Sequence, residues 1–204
     1  MATEYPRARR ISLGYNGVED RMLLWLHLRD GSQRRVDLTR RLVASLIERL
    51  QTTLSETHPA AERTPSPDEV LQMEHIAAVA GGTGDDDSAA SPAAGTGDDA
   101  GGEGGAAEGG SDENADAARK VPVYLATDIP MEIVDGELLL GIQGARRSRA
   151  GAVRPGPVAG LRLGRRQAHR VMKLLRDVAA NAEWGLDAPP GWMQPMKIDS
   201  RTGN

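Results

Sequence analysis

The sequence predicts an α+β fold: two β-β-β-α units in a pseudo-two-fold arrangement, with antiparallel sheet(s) covered on one face by two helices. Three observations carry that prediction. First, Val36-Asp37-Leu38-Thr39-Arg40-Arg41, followed by an amphipathic stretch, recurs 125 positions later as Leu161-Arg162-Leu163-Gly164-Arg165-Arg166. Each copy is an apolar-x-apolar strand end, a small residue suited to an N-cap, an Arg-Arg pair and a helical apolar stripe. Second, each copy is preceded by a hairpin signal of the same kind, Asp30-Gly31 and Asp135-Gly136. Third, residues 81–118 hold 11 of the 24 glycines, ten acidic residues and no basic one. Such a tract has too little apolar surface to offset its ordering entropy, so it is expected to be disordered. The chain therefore divides into a first unit (1–58), a linker with a short docking helix (59–80), the acidic tract (81–118) and a second unit with a C-terminal tail (119–204). Each unit alone is marginal in size, and together they are long enough for one core.

The elements follow in order. Residues 9–15 alternate, with Ile11 and Leu13 on one side, and read as a half-buried strand ending at the Asn16-Gly17 turn. Residues 21–29 place Met22, Leu24, Leu26 and Leu28 on one face and Leu23, Trp25 and His27 on the other, as in a central strand. Asp30-Gly31 is the type I′ pair and closes a hairpin into residues 33–38. Thr39 caps a helix whose stripe is Leu42, Val43, Leu46, Ile47, Leu50 and Leu54. Ser66-Pro67-Asp68-Glu69 starts a second, short helix running to Ala80, which must dock on the body or on a partner because it is marginal alone. Beyond the tract, residues 121–126 are strand-like. Residues 129–134 and 137–143 flank the second hairpin, 144–157 form a basic loop, and 158–163 are the last strand. The final helix spans about 165–184 with Val171, Met172, Leu175, Val178, Ala179 and Ala182 on its core face, and Gly185 ends it.

Composition excludes several classes of function. There is no Cys, so disulfides, thiolate metal sites and Cys nucleophiles are absent. The longest apolar run, Met22 to Leu26, is far short of a membrane span, and residues 5–10 are not a signal peptide, so no membrane contact and a cytoplasmic setting are expected. The net charge is −4, of which the tract carries −10; that leaves +6 on the remainder. A basic body favours an anionic partner, with the tract as an internal competitor.

The candidate site residues are arginines. Arg40 and Arg41, and again Arg165 and Arg166, stand in the first turn of a helix, where two cations oppose the dipole at a cost of a few tenths of a kcal/mol each. Their use would be to join exposed helix amides in holding a phosphate or carboxylate. The plainer alternative is that they are solvated or paired with acids such as Asp37 or Asp177. Arg146, Arg147 and Arg149, with Arg154, make the basic loop, suited to phosphates without base selectivity and lacking an aromatic to stack a base. His27, His58, His75 and His169 have no two at ligand spacing, no nucleophile motif surrounds Ser45 or Ser148, and no cofactor is expected. The expected function is a non-catalytic binding or assembly module presenting an arginine-rich anion- or protein-binding surface. The alternative is a nucleic-acid-associated protein whose acidic linker moderates binding, and an enzyme would need polar residues that converge only in space.

Replacing residues 81–118 by a short Gly/Ser linker is expected to leave unfolding free energy within about 1 kcal/mol, because loop closure depends weakly on length. Urea unfolding of the shortened chain checks it, and aggregation or loss of the transition would give the tract a structural role.

Overall fold

Burial along the second strand repeats every two residues. β2, Arg21–Leu28, buries Met22, Leu24, Leu26 and Leu28 and leaves Leu23, Trp25 and His27 half-buried, as its alternating sequence requires. The computed structural model describes residues 4–59, 66–81, 121–146 and 154–194. β2 lies between β1, Ala8–Asn16, and β3, Gln33–Leu38, antiparallel to both. The β2–β3 connection is not a two-residue type I′ turn: only Gly31 has a positive φ, and the loop runs from Arg29 to Ser32. Asp30 Oδ1 holds that loop by accepting from the Ser32 backbone N–H at 2.8 Å and its hydroxyl at 2.7 Å. The second hairpin does have the type I′ signature, with Asp135 at φ 54° and Gly136 at φ 76°.

In the second half, β4 (Val123–Asp128) and β5 (Met131–Val134) lie in succession along one edge of β6 (Glu137–Arg146). They are parted where the register shifts by one near Ala126/Asp128 and where Pro130 lacks an N–H. β7, Gly156–Leu163, pairs with the other edge of β6. Among the described residues the sheet thus has seven strands, and it is mixed rather than antiparallel throughout. β3 and β4 run parallel, pairing Arg35 with Val123, Val36 with Tyr124 and Asp37 with Leu125. Parallel neighbours need a long crossover, and the chain from Thr39 to Pro122 supplies one, which hairpin logic could not show.

The ends of the strand order also meet. Gly160 N–H donates to Pro6 O at 2.8 Å, and Arg7 and Gly160 form a parallel bridge. The Tyr5 ring sits directly on Gly141, where an added Cβ would come within 2.6 Å of its Cζ, so this approach requires glycine.

α1 spans Arg40–Glu56, with the Thr39 hydroxyl accepting from Leu42 N–H at 3.2 Å. α2 spans Pro67–Ala80, and α3 spans Arg165–Asn181, three residues shorter than expected. Beyond α3 the chain turns through left-handed Glu183 and Gly185. The buried stripes of α1 and α3 and the buried strand positions form one apolar cluster that draws on both halves. α1 and α3 pack together, and α2 lies on α3 and on a 3₁₀ turn, Gly191–Met193. The described residues thus hold the three expected helices, with the short one docked on the body through α3 and the 3₁₀ turn. The expected core positions Leu46, Ile47, Leu50, Val171, Met172 and Leu175 are all buried. No described helix is long and apolar enough to cross a membrane. The acidic tract lies outside the described residues except Gly81.

Leu46→Ala and Val171→Ala, both at buried positions, are each expected to cost about 1–4 kcal/mol of stability. A fragment of residues 1–58 alone is expected to be poorly folded, since β3 loses β4 and the core loses half its lining. A well-dispersed NMR spectrum from that fragment would contradict this.

Candidate functional site

The two Arg-Arg pairs have different fates. Arg165, the first residue of α3, turns onto α2 and grips Glu74 with both arms: Nε to Oε1 and Nη2 to Oε2, each 2.9 Å. The same guanidinium donates to the Thr57 hydroxyl at 2.7 Å and to the Leu54 carbonyl at 2.9 Å, near the end of α1. A bidentate carboxylate at a helix start is the arrangement that fork geometry and the dipole both favour. Burial pushes the Glu74 carboxyl up, but hydrogen bonds and charge from Arg165, with help from His169, outweigh it and hold the carboxyl below its usual range. Further along α3, Arg170 donates to the Ala78 carbonyl at 2.6 Å and to that of Gly81, placing a cation at the C-terminal end of α2. Arginines of α3 thus hold α2 at its middle and at its end.

Between those two ties lies a polar cluster that spacing in the sequence does not reveal. His75 of α2 and His169 of α3 are both buried, with their Nδ1 atoms 3.3 Å apart. The Trp192 ring stands edge-on to both, at 5.7 Å and 5.5 Å between centroids. At 3.3 Å one Nδ1 must donate and the other accept, so at least one ring is neutral. His169 Nε2 lies 3.4 Å from Glu74 Oε2 and lacks a hydrogen-bond partner of normal geometry. These distances fit His169 carrying its proton on Nε2, toward Glu74, and accepting at Nδ1 from His75. Burial pushes His169 down to about 4, against the raising effect of Glu74. Burial also lowers His75, with Lys173 adding to the effect and Asp177 opposing it. Among the described residues no group of three or more His, Asp or Glu is placed to hold a metal ion.

Arg40 and Arg41 lie elsewhere. Since Arg165 reaches Leu54 near the end of α1, and Arg176 reaches Gln51 and the Asp187 region, α1 and α3 run in opposite directions. The two Arg-Arg pairs are therefore at opposite ends of the helix pair and do not form one surface. With 17 residues in α1, they are separated by about 25 Å. Arg40 and Arg41 are exposed and line an open cleft of about 490 Å³ with Glu48, Arg176, Leu186 and Asp187. Arg176 donates to the Asp187 carbonyl at 3.1 Å; Gln51, with its amide oxygen turned inward, accepts from Arg176 Nε at 3.2 Å. Burial holds the Arg176 guanidinium below its usual value. No carboxylate among the described residues forms an ion pair with Arg40 or Arg41. The nearby Asp20 is committed to Trp184 Nε1 at 2.6 Å and the Tyr15 hydroxyl at 2.7 Å, which hold its carboxyl low. Asp37 pairs with Arg35 and Asp177 with Lys173.

Arg166 is exposed on α3. Arg146 is exposed at the end of β6 and lines an open groove of about 860 Å³ with Arg34, Tyr124, Asp30, Ser32 and Gln33. Arg34 stacks over Tyr124 at 5.9 Å and donates to the Val158 carbonyl. Arg147 and Arg149 lie outside the described residues, and Arg154 is exposed before β7. Sequence reasoning missed Glu74, Arg176 and the His75–His169 pair. Their only local signal is polarity at stripe positions: His169 follows Ala168, and His75 falls four residues after Leu71.

Arg165→Gln is expected to lower stability by about 1–3 kcal/mol, because it takes the bidentate cation from the half-buried Glu74 and leaves it only the imidazoles of His58 and His169. That opposes the slight gain expected from removing a solvated cation at a helix start. The histidine pair also imposes a pH dependence. Its folded-state affinity for protons is depressed, so the unfolded chain binds more protons between about 6.5 and about 4. Stability should be full above about pH 6.5 and should fall as pH drops toward 4. The urea midpoint at pH 5 should lie below that at pH 7.5, and His169→Gln should flatten the difference.

No family model, no curated protein and no solved structure matches the chain.

Proposed function

We propose that the protein is a non-catalytic binding or assembly module that receives an anionic side chain of a partner protein at the start of α1. The observation that carries this is internal: the Arg165 position of α3 shows what the repeated helix start does when it meets a carboxylate. Arg40 occupies the matching first position of α1, with Arg41 beside it and Arg176 facing the same cleft. The match extends to the strands if the halves are pseudo-two-fold copies, β1-β2-β3-α1 and β4/β5-β6-β7-α3. Two parallel contacts in equivalent places support that symmetry, β3 with β4 and Arg7 with Gly160. A glutamate, aspartate or phosphorylated side chain fits the cleft, since its oxygens accept from an arginine fork and from the first-turn amides of α1. Glu48 and Asp187 at the rim offset part of the charge, which favours a single side chain over a polyanion.

A second reading, association with nucleic acid, has one specific observation behind it. Arg34, Tyr124 and Arg146 share a groove at the root of the basic loop, bringing together the cations and the aromatic ring that the loop lacks in sequence. Affinity for single-stranded DNA that falls steeply with salt, and that is lost in Arg146→Gln together with Tyr124→Ala, would favour this reading over the first.

The first reading is tested by titrating sodium sulfate against sodium chloride at matched ionic strength, which removes general screening. Sulfate should raise the melting temperature of the unsubstituted chain through linkage. The Arg40→Gln/Arg41→Gln variant should lose that increment without losing basal stability. An equal response from both proteins would make these arginines solvated surface only.

A further inference from the structure

The Glu74 carboxylate occupies a seat made by two stretches of chain, the end of α1 and the first turns of α3. Arg165 donates to both of its oxygens at 2.9 Å, and His58 and His169 bring Nε2 atoms to 3.5 Å and 3.4 Å from Oε2. His169 is fully buried, and its Nε2 aims into the seat without a hydrogen-bond partner. The helix that delivers the carboxylate has little else to hold it. α2 buries three residues, Leu71, His75 and Ala78, where α1 buries five and α3 six. Only Leu71 among the three is a large apolar side chain, so the docking of α2 rests on its polar ties. An element of that kind opens before the rest of a fold does.

One of those ties limits the charge that the docked state can carry. His75 and His169 share a single hydrogen between Nδ1 atoms 3.3 Å apart, under the edge of Trp192. One added proton preserves this bond, because the charged ring donates and its neighbour still accepts. A second added proton destroys it, since both Nδ1 atoms then carry hydrogens that face each other. The surroundings do not neutralise a doubly charged pair. Glu74, beside His169, is already committed to Arg165, and Asp177 to Lys173 at 2.5 Å. Lys173, Arg176, Asp177 and exposed Asp187 share with His75 an open cavity of about 520 Å³. Burial opposes charge on both rings, and Arg165 and Lys173 add to that opposition.

We propose that α2 is a proton-operated latch over a second anion seat: when both histidines are charged α2 leaves α3, and Arg165 and His169 receive a free oxyanion in place of Glu74. Arg165 and a charged His169 put two positive charges where Glu74 brings one negative, which suits a divalent oxyanion such as sulfate or phosphate. The seat lies at the opposite end of the helix pair from the Arg40 cleft and does not rest on it. Proton counting sets the size of the effect. Released, the two rings bind two protons below their ordinary value of 6.5; docked, they bind at most one. Docking is therefore at full strength above about pH 6.5, and the opening of α2 should rise roughly ten-fold or more between pH 7.5 and pH 5.

Hydrogen–deuterium exchange of the full chain, normalised at each pH to the rates of an unfolded chain, reads that opening. Amides of α2 should exchange through an event that leaves those of β2 protected, and their protection should fall roughly ten-fold or more from pH 7.5 to pH 5. The fall should shrink in His169→Gln. His75→Gln, at the wall of the cavity, gives the same reading if the first variant does not fold. At pH 5, sodium sulfate matched in ionic strength to sodium chloride should open α2 further, by binding the vacated seat. General exclusion of sulfate from protein surfaces acts in the other direction, so an opening response is specific. Arg40→Gln/Arg41→Gln should keep this response and Arg165→Gln should lose it. Equal protection of α2 and β2 amides at both pH values, or α2 protection indifferent to pH, would overturn the latch. A sulfate response that is absent, or that is lost with Arg40 and Arg41 and kept without Arg165, would overturn the second seat.

Discussion

β3 and β4 run parallel over three residue pairs, and much of the rest depends on that short contact. It joins two antiparallel groups of strands that would otherwise each leave an apolar face half covered. Val36 and Tyr124 meet there; Val36 is fully buried and Tyr124 packs against the same core as α1 and α3. Asp37, at one end of the contact, is buried and held by Arg35 at 3.1 Å, so even the polar residue at the junction is satisfied. A parallel pair cannot be closed by a hairpin. The intervening chain must leave the sheet and return, which explains why a long low-apolar stretch is tolerated between the halves.

The same detour places α2 on α3. Its attachment is polar as much as apolar: Arg165 holds Glu74, Arg170 holds the last carbonyls, and His75 and His169 share a proton position under Trp192. Such contacts are directional, and they choose one face of a helix whose apolar residues do not. Breaking one partner of a half-buried ion pair costs more than its formation contributes, so the network acts as a lock on position. The buried histidines extend that lock into a dependence on pH, since burial disfavours their charged forms.

The repeated Arg-Arg sign at two helix starts therefore has two meanings in one molecule. In α3 the first arginine is structural and its carboxylate is internal. In α1 both arginines face outward beside a cleft. The local sequence of the two starts is nearly the same; the difference lies in what the chain delivers to each. α2 reaches the start of α3, whereas the loop of Gly185 to Asp187 reaches the start of α1 and brings Arg176 with it.

By itself, the sequence determined the elements: all seven strands and all three helices among the described residues follow from periods of two and 3.6, and Ser66-Pro67 and Thr39 mark helix starts that the structure places at the same residues. These are local properties, set by side-chain alternation and by which backbone groups a neighbour can satisfy. β5 was also legible as a strand, but not as the continuation of β4 along β6, because a one-residue shift and a proline decide that. Only the tertiary structure decided the parallel junction, the docked face of α2 and the sorting of the arginines. The physical reason is the same in each case. Pairing direction depends on a crossover whose path no local pattern encodes. The apolar residues of α2 lie on more than one side of it, so its docked face is set by polar residues such as Glu74 and His75 meeting their partners. An arginine at a helix start becomes a tie or a surface according to whether a carboxylate from 91 residues away in the chain arrives beside it.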